Sequence, residues 1–451
     1  MVKSLTSGKP LKLILQVTVP LIFGNLFQQL YNMADTVIVG QFLGKNALAS
    51  VGATGCLSFL ILGFALGVCS GFSIPISQCF GAGDEENLRR YAANAIWLGA
   101  GIAVGLTVLT TAGCRWILQL LNTPADIFEG AYAYIVIIFG GIGASIFYNL
   151  LSGFLRALGD SRSPVIFLVI SSFLNVGLDL LFIVALKSGV SGAAWATVIA
   201  QAISGLLCLI FIIKKYPILR IRKEEWRMSG YHMKKLVGMG FPMGLQFSIT
   251  AVGSTLLQGA VNGLGSDAVA AVTATSRVSE VLTAPMEALG ITMATYAGQN
   301  LGAGRILRVK TGVRQALLAG LVYAAAAGVI AICFGSSIAQ LFIDSSETEI
   351  LRRAQQFLTV NGCFYSLVMS LLVLRNTIQG LGYGVPAMAA GVFEMVARSF
   401  VALALVPHFG YTAACFSHAC AWVAANILLI PVYLKTIHTL LHTYPRTPED
   451  M

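Results

Sequence analysis

Twelve apolar runs, each long enough to cross a bilayer, leave this chain little room for any other architecture. A hydrocarbon core about 30 Å thick takes about 20 residues of helix. Such runs fall at roughly 12–36, 47–75, 91–113, 131–155, 164–186 and 191–213, and again at roughly 236–262, 268–296, 313–335, 353–379, 385–406 and 411–436. Lipid offers the backbone no hydrogen-bond partner, so runs of this length must be helices. Only 11% of the 451 residues are charged, against about 25% in soluble domains. The reading is an all-α integral membrane protein of about twelve transmembrane helices in two six-helix lobes. Its divisions are 1–213 for the first lobe, 214–235 for a cytoplasmic linker, 236–437 for the second lobe and 438–451 for a short cytoplasmic tail. The first run lacks the short apolar core and small-residue site of a cleavable leader, so it is expected to remain as a span.

The formal net charge is +10, but its placement argues against nucleic acid as a partner. Of 29 Lys and Arg, 21 lie on one side of the proposed spans and 5 on the other. That bias is the positive-inside pattern, and it puts both termini in the cytoplasm. The nine cysteines include no CxxC pair, and most sit inside apolar runs, so no disulfide framework is implied. Cys415, His418 and Cys420 invite a metal reading, but 415 and 420 lie on different helical faces. No metal site is expected there.

The chain repeats itself. Leu43-Gly44…Ala47-x-Ala49-x-Val51-x-Ala53-Thr54 returns as Leu264-Gly265…Ala268-x-Ala270-x-Val272-x-Ala274-Thr275. Gln78-x-x-Gly81-Ala82-Gly83 returns as Gln299-x-x-Gly302-Ala303-Gly304, and Gly189 pairs with Gly410. All three share one offset, 221 residues. A repeat of six spans keeps its orientation on duplication, so the halves should relate by a pseudo-two-fold axis along the membrane normal, with the substrate path between them. Pro20 and Pro242 are near-equivalent, and each can kink its helix. Gly81-Ala82-Gly83-Asp84 matches the GxGD pattern of intramembrane proteases, but Arg305 replaces the Asp in the second copy. A helix-ending turn is the better reading.

Polar residues inside the spans carry the chemistry. Asn25, Gln28, Asn32 and Asp35 share one face of span 1, and Ser172, Asn175 and Asp179 one face of span 5. Span 4 adds Ser145, Asn149, Ser152 and Arg156, and Thr197 opens span 6. An acid at mid-membrane costs at least about 2.5 kcal/mol and is functional by default. Two carboxylates among amide and hydroxyl oxygens can carry a proton or ligate Na⁺; the bland alternative is polar glue between helices. At the repeat offset, Asp35 maps to Leu256 or Leu257 and Asp179 to Phe400, so these acids occur only in the first half. Span 7 offers Gln246, Thr250, Ser254 and Gln258. Arg277, Glu280 and Glu287 share one face of span 8, and Glu394 and Arg398 form an i,i+4 pair in span 11. The pair reads as packing; the span 8 acids are candidates to attract a cationic substrate.

Together these residues resemble the MATE multidrug and toxin extrusion transporters. The resemblance rests on Asn32-x-x-Asp35, the Gln-x-x-Gly-Ala-Gly loop in both halves, Asn175-x-x-x-Asp179 and the two six-helix repeats. It covers essentially the whole chain and is closer to the DinF-like branch than to the NorM branch, whose pattern puts an acid in span 7. The resemblance implies a secondary antiporter, not an enzyme, exporting cationic or amphipathic compounds against H⁺ or Na⁺ by alternating access. It implies a coupling site of Asp35, Asn175, Asp179 and Thr197, with Asn149 and Asn32 close by. Gln28, Gln246, Arg277, Glu280 and Glu287 are then candidates to line the substrate cavity. No cofactor beyond the coupling ion is expected. The implied setting is the cytoplasmic membrane of a bacterium, with lipids as neighbours and a monomeric state. A lipid-linked precursor flippase is the alternative, and it would need a more cationic cavity than Arg277, Arg375 and Arg398 provide. An intramembrane enzyme would need a paired catalytic motif.

Overall fold

The computed structural model describes residues 4–121, 123–344 and 346–444. The first repeat runs α1 Pro10–Leu43, α2 Lys45–Ala53, α3 Gly55–Ala82, α4 Glu85–Leu120, α5 Ala125–Gly140, α6 Ile142–Ala157, α7 Arg162–Asp179 and α8 Gly189–Lys215. The second runs α9 Gly230–Asn262, α10 Ser266–Gly302, α11 Ile306–Ala339, α12 Thr348–Cys363, α13 Tyr365–Gly380, α14 Gly384–Phe400 and α15 Val406–Thr443. No strand occurs among the described residues.

Among the described residues, eight helical stretches are long and apolar enough to cross a membrane, and two bent pairs, α5 with α6 (45°) and α12 with α13 (51°), raise this to ten. One of the eight, Gly384–Thr443, is 60 residues long. At 1.5 Å per residue that is about 90 Å, too long for one pass. Gly410 breaks it with φ of 58°, so it is two. The twelfth segment is α10, which is not among the eight and carries Arg277, Glu280 and Glu287. Twelve helical segments therefore match the twelve apolar runs.

The duplication is visible in backbone geometry. Gly44 and Gly265 take φ of 81° and 95°, Gly83 and Gly304 72° and 71°, Gly189 and Gly410 61° and 58°. These left-handed conformations are ones only glycine adopts cheaply, which is why the repeat retains glycine there. After Asp179, α7 widens into a π turn, Leu180–Ala185; after Phe400, α14 does the same over Val401–Leu405. The Gly81-Ala82-Gly83-Asp84 segment is a helix-ending turn: Gly83 closes α3, and the Asp84 carboxylate accepts the Asn87 N–H as the N-cap of α4.

Two compact units emerge, and each claims a piece from the other half of the chain. Pro20–Gly244 forms one; Leu5–Val19 joins Leu245 onward in the other. The exchange points lie at Pro20 in α1 and just after Pro242 in α9. In the second unit, the Leu5 N–H donates to Gln299 Oε1 (2.8 Å), Asn300 Nδ2 donates to the Leu5 carbonyl, and Arg305 donates to the Thr6 carbonyl (2.6 Å). In the first unit the corresponding corner, between α3 and α4, grips the segment before α9. There Arg89 Nε donates to Glu225 (2.8 Å), and the Ser229 N–H donates to Asn94 Oδ1 (2.9 Å). Further along, α9 crosses α3 with backbones in contact. A Cβ on Gly67 would meet the Met243 carbonyl oxygen at 2.5 Å, and one on Gly71 the Gly240 Cα at 2.6 Å. Small residues at i,i+4 on both helices permit this approach.

The stretch 214–235, read from sequence as a linker, thus belongs wholly to the first unit. Its middle is two 3₁₀ turns, Pro217–Leu219 and Lys223–Trp226. Residues 445–451 of the expected tail lie outside the described residues.

Candidate functional site

In the first unit, the polar faces of α1, α7 and α8 meet. Asp179 is the last residue of α7 before its π turn and is fully buried; Asn175, one turn earlier, is buried with it. A π turn leaves the regular hydrogen-bond ladder and is common at functional sites. With its amide oriented by its partners, Asn175 Nδ2 donates to Asp179 Oδ2 at 2.9 Å and Oδ1 accepts the Thr197 backbone N–H at 3.1 Å. Asp35 reaches over from α1 and stands beside Asp179, and Oδ1 of each carboxyl is buried without a hydrogen-bond partner. Three sequence-predicted residues from three helices and a fourth from α7 therefore converge.

Two tyrosines complete the cluster and escaped the sequence reading. The Tyr31 hydroxyl lies beside the Thr197 side chain, and Tyr134 on α5 stands close to Asp35, Tyr31 and Asp179. Tyr31 falls four residues before Asp35, on the same face, and that spacing was the available signal. Tyr134 gave none, because α5 carries no polar stripe.

Other predicted residues make different contacts. Asn32 and Gln28 are exposed on α1. Asn149 donates to the Ser145 carbonyl of its own helix (2.8 Å). Gln246 is buried in the second unit, where its Oε1 accepts from Gln379 Nε2 at 2.7 Å. On α10, Arg277 pairs with Glu280 at 3.2 Å, both half exposed, while Glu287 is exposed with Arg375 as the opposing charge. Exposed charges in the body of a membrane helix cannot face lipid cheaply, so this face of α10 borders water.

Among its described residues the second unit has no copy of the acid cluster. At the repeat offset, Tyr31, Asp35, Asn175, Asp179 and Thr197 become Val252, Leu256, Val396, Phe400 and His418. His418 stacks on Trp422 and takes the edge of Phe357. What this unit holds instead is a buried triad: Glu394 accepts from Arg375 Nη1 at 2.9 Å and from Arg398 Nη2 at 3.4 Å. The i,i+4 pair was legible; Arg375, arriving from α13, was not.

A family model described as MatE matches the chain twice, over residues 20–181 and 242–403. The chain is 30% identical to the "Probable multidrug resistance protein YpnP" of Bacillus subtilis, over 84% of each chain. It is 26% identical to the "DNA damage-inducible protein F" of Escherichia coli, over 77% of this chain and 75% of that one. Among solved structures, an outward-facing multidrug resistance MATE transporter superposes with a TM-score of 0.90 at 23% identity, over 96% of this chain and 97% of that one.

Proposed function

Because this chain belongs to the MatE family, the bacterial MATE transporters of multidrug efflux, we propose that it is a secondary antiporter exporting cationic or amphipathic organic compounds in exchange for H⁺ or Na⁺. The observation that carries this is the buried contact between Asp35 and Asp179, braced by Asn175 and Thr197. Two carboxyls in contact and out of water cannot both stay ionised cheaply, so the pair holds one cation or proton between them. Polar glue would not require two acids meeting at a single point.

The cycle follows from that chemistry. Entry of the cation lowers the charge shared by Asp35 and Asp179 by one and lets α1, α7 and α8 repack. Repacking lowers substrate affinity in the outward-facing state, and its return on ion release restores it; coupling is that difference in affinity. Both ions suit the site. A proton bridges the carboxyls, whereas Na⁺ would use their oxygens with those of Asn175 and Thr197. In the second unit the exposed Glu280 and Glu287, with Arg277, supply polar wall for substrate, and the net negative face of α10 favours cations. Both termini lie in the cytoplasm of a bacterial cell, consistent with the Lys and Arg bias.

The test is efflux of a fluorescent organic cation from proteoliposomes under separately imposed H⁺ and Na⁺ gradients. Asp35→Asn should abolish gradient-driven efflux while the protein still inserts, and the gradient that drives wild type names the ion. Undiminished transport by Asp35→Asn would refute the coupling site.

A further inference from the structure

We propose that residues 214–231 form a strap that binds anionic lipid headgroups at the membrane surface where α8 ends and α9 begins. The strap is a fixed structure. Tyr216 is buried and donates to Asp160 Oδ2, Leu219 is buried, Glu225 is held by Arg89, and His232, just beyond, bonds Asn87 Oδ1 through Nε2 at 3.0 Å. These anchors face inward. Everything cationic faces outward: Lys214, Lys215, Arg220, Arg222, Lys223 and Arg227 are all exposed. The acids of this stretch are Glu224 and Glu225, and Glu225 is already committed to Arg89. The exposed face therefore carries a strong positive excess.

Apolar exposure among these charges selects a membrane over a soluble anion. Trp226 is 40% exposed, Met228 64% and Tyr231 70%, a costly display to water but a natural one at the interface, where aromatic rings sit at headgroup level. The Trp226 carbonyl accepts from Trp97 Nε1 at 3.1 Å, and the two indoles meet edge to face at 6.3 Å. Trp97 itself is 42% exposed. It lies twelve residues into α4, whose 36 residues span about 54 Å against a core of about 30 Å. The first turns of α4 thus rise out of the bilayer, and the tryptophan pair marks the level at which it leaves. Arg222, Lys223 and Arg227 surround that level. Each basic residue near an anionic surface contributes about 1 kcal/mol, and screening removes it with salt.

The experiment uses the full chain in nanodiscs of phosphatidylcholine alone or with about one-third phosphatidylglycerol. The readouts are the thermal unfolding midpoint and the lipid retained in native mass spectrometry. Wild type should retain phosphatidylglycerol preferentially and unfold several degrees higher in its presence. Arg222→Gln with Lys223→Gln and Arg227→Gln should match wild type in phosphatidylcholine and lose most of the increment. Arg227→Gln alone should lose part of it, which keeps the test open if the triple variant folds poorly. Lys9→Gln with Lys12→Gln, a charge loss elsewhere, should keep the increment. The proposal is overturned if the strap variants keep the full increment, if the Lys9 and Lys12 control loses as much, or if inorganic phosphate reproduces the effect in phosphatidylcholine.

Discussion

Asn175 Nδ2 donates to Asp179 Oδ2 at 2.9 Å across one turn of α7, while its Oδ1 is held by the Thr197 N–H of α8. One amide therefore fixes the direction of a fully buried carboxylate and ties two helices to it. The proposed coupling site rests on that fixed geometry, and at the repeat offset the second unit has Val396 and Phe400 in these two places.

Asn175→Leu removes a donor from a carboxylate that has no water to replace it. The loss should be about 1–3 kcal/mol, raising the half-saturating concentration of the driving cation by roughly tenfold or more. Efflux measured against graded ion concentration reads this directly. An unchanged half-saturation would remove Asn175 from the site.

Tyr31→Phe keeps the ring beside Asp35 and deletes the hydroxyl on Thr197. A single neutral hydrogen bond contributes about 1 kcal/mol, so a shift of a few fold in the same titration is expected. Tyr31→Ala, which also opens the packing, should do more. If Phe and Ala behave alike, the hydroxyl matters more than the ring.

Glu394→Gln strands two buried guanidiniums, Arg375 and Arg398, without their shared counter-ion. Breaking a buried pair from one side costs about 3–5 kcal/mol, so the thermal midpoint in detergent should fall sharply. Removing charge from both ends with Glu394→Leu and Arg398→Leu should recover part of the loss. A double variant no better than the single would mean that the triad contributes specific contacts beyond charge balance.

Glu225 gives the strap a dependence on pH. Burial raises its pKa, but the Arg222 backbone N–H and the Arg89 guanidinium outweigh burial, and the folded value lies below the ordinary one. The strap therefore gains stability above the ordinary glutamate range and loses it as pH falls through the lower, folded value. Acidification below that range should release the strap, seen as a change in Trp226 emission that vanishes in Trp226→Phe. Glu225→Gln should lack the acid transition. A transition that persists in Glu225→Gln belongs to another group.

How much of this was legible in one dimension depends on the range of the interaction. Helices, their number and their polar faces follow from local physics: apolar length, a 3.6-residue period and the cost of unpaired backbone in lipid. The duplication was equally readable, since Gly44, Gly83 and Gly189 return as Gly265, Gly304 and Gly410 wherever the backbone must turn left-handed. Asp35, Asn175, Asp179 and Thr197 stood out because buried polarity is costly and therefore purposeful. Their convergence, by contrast, was an inference from number and type, and it took tertiary packing to bring α1, α7 and α8 to one point and to add Tyr134 from a helix with no polar stripe. Arg375 joined Glu394 in the same way, across 19 residues and two helices. The exchange of chain starts was beyond reach altogether: Leu5 bonds Gln299, 294 residues away. No period or propensity encodes a partner at that distance, because it is chosen by which surfaces remain to be buried once the helices have formed.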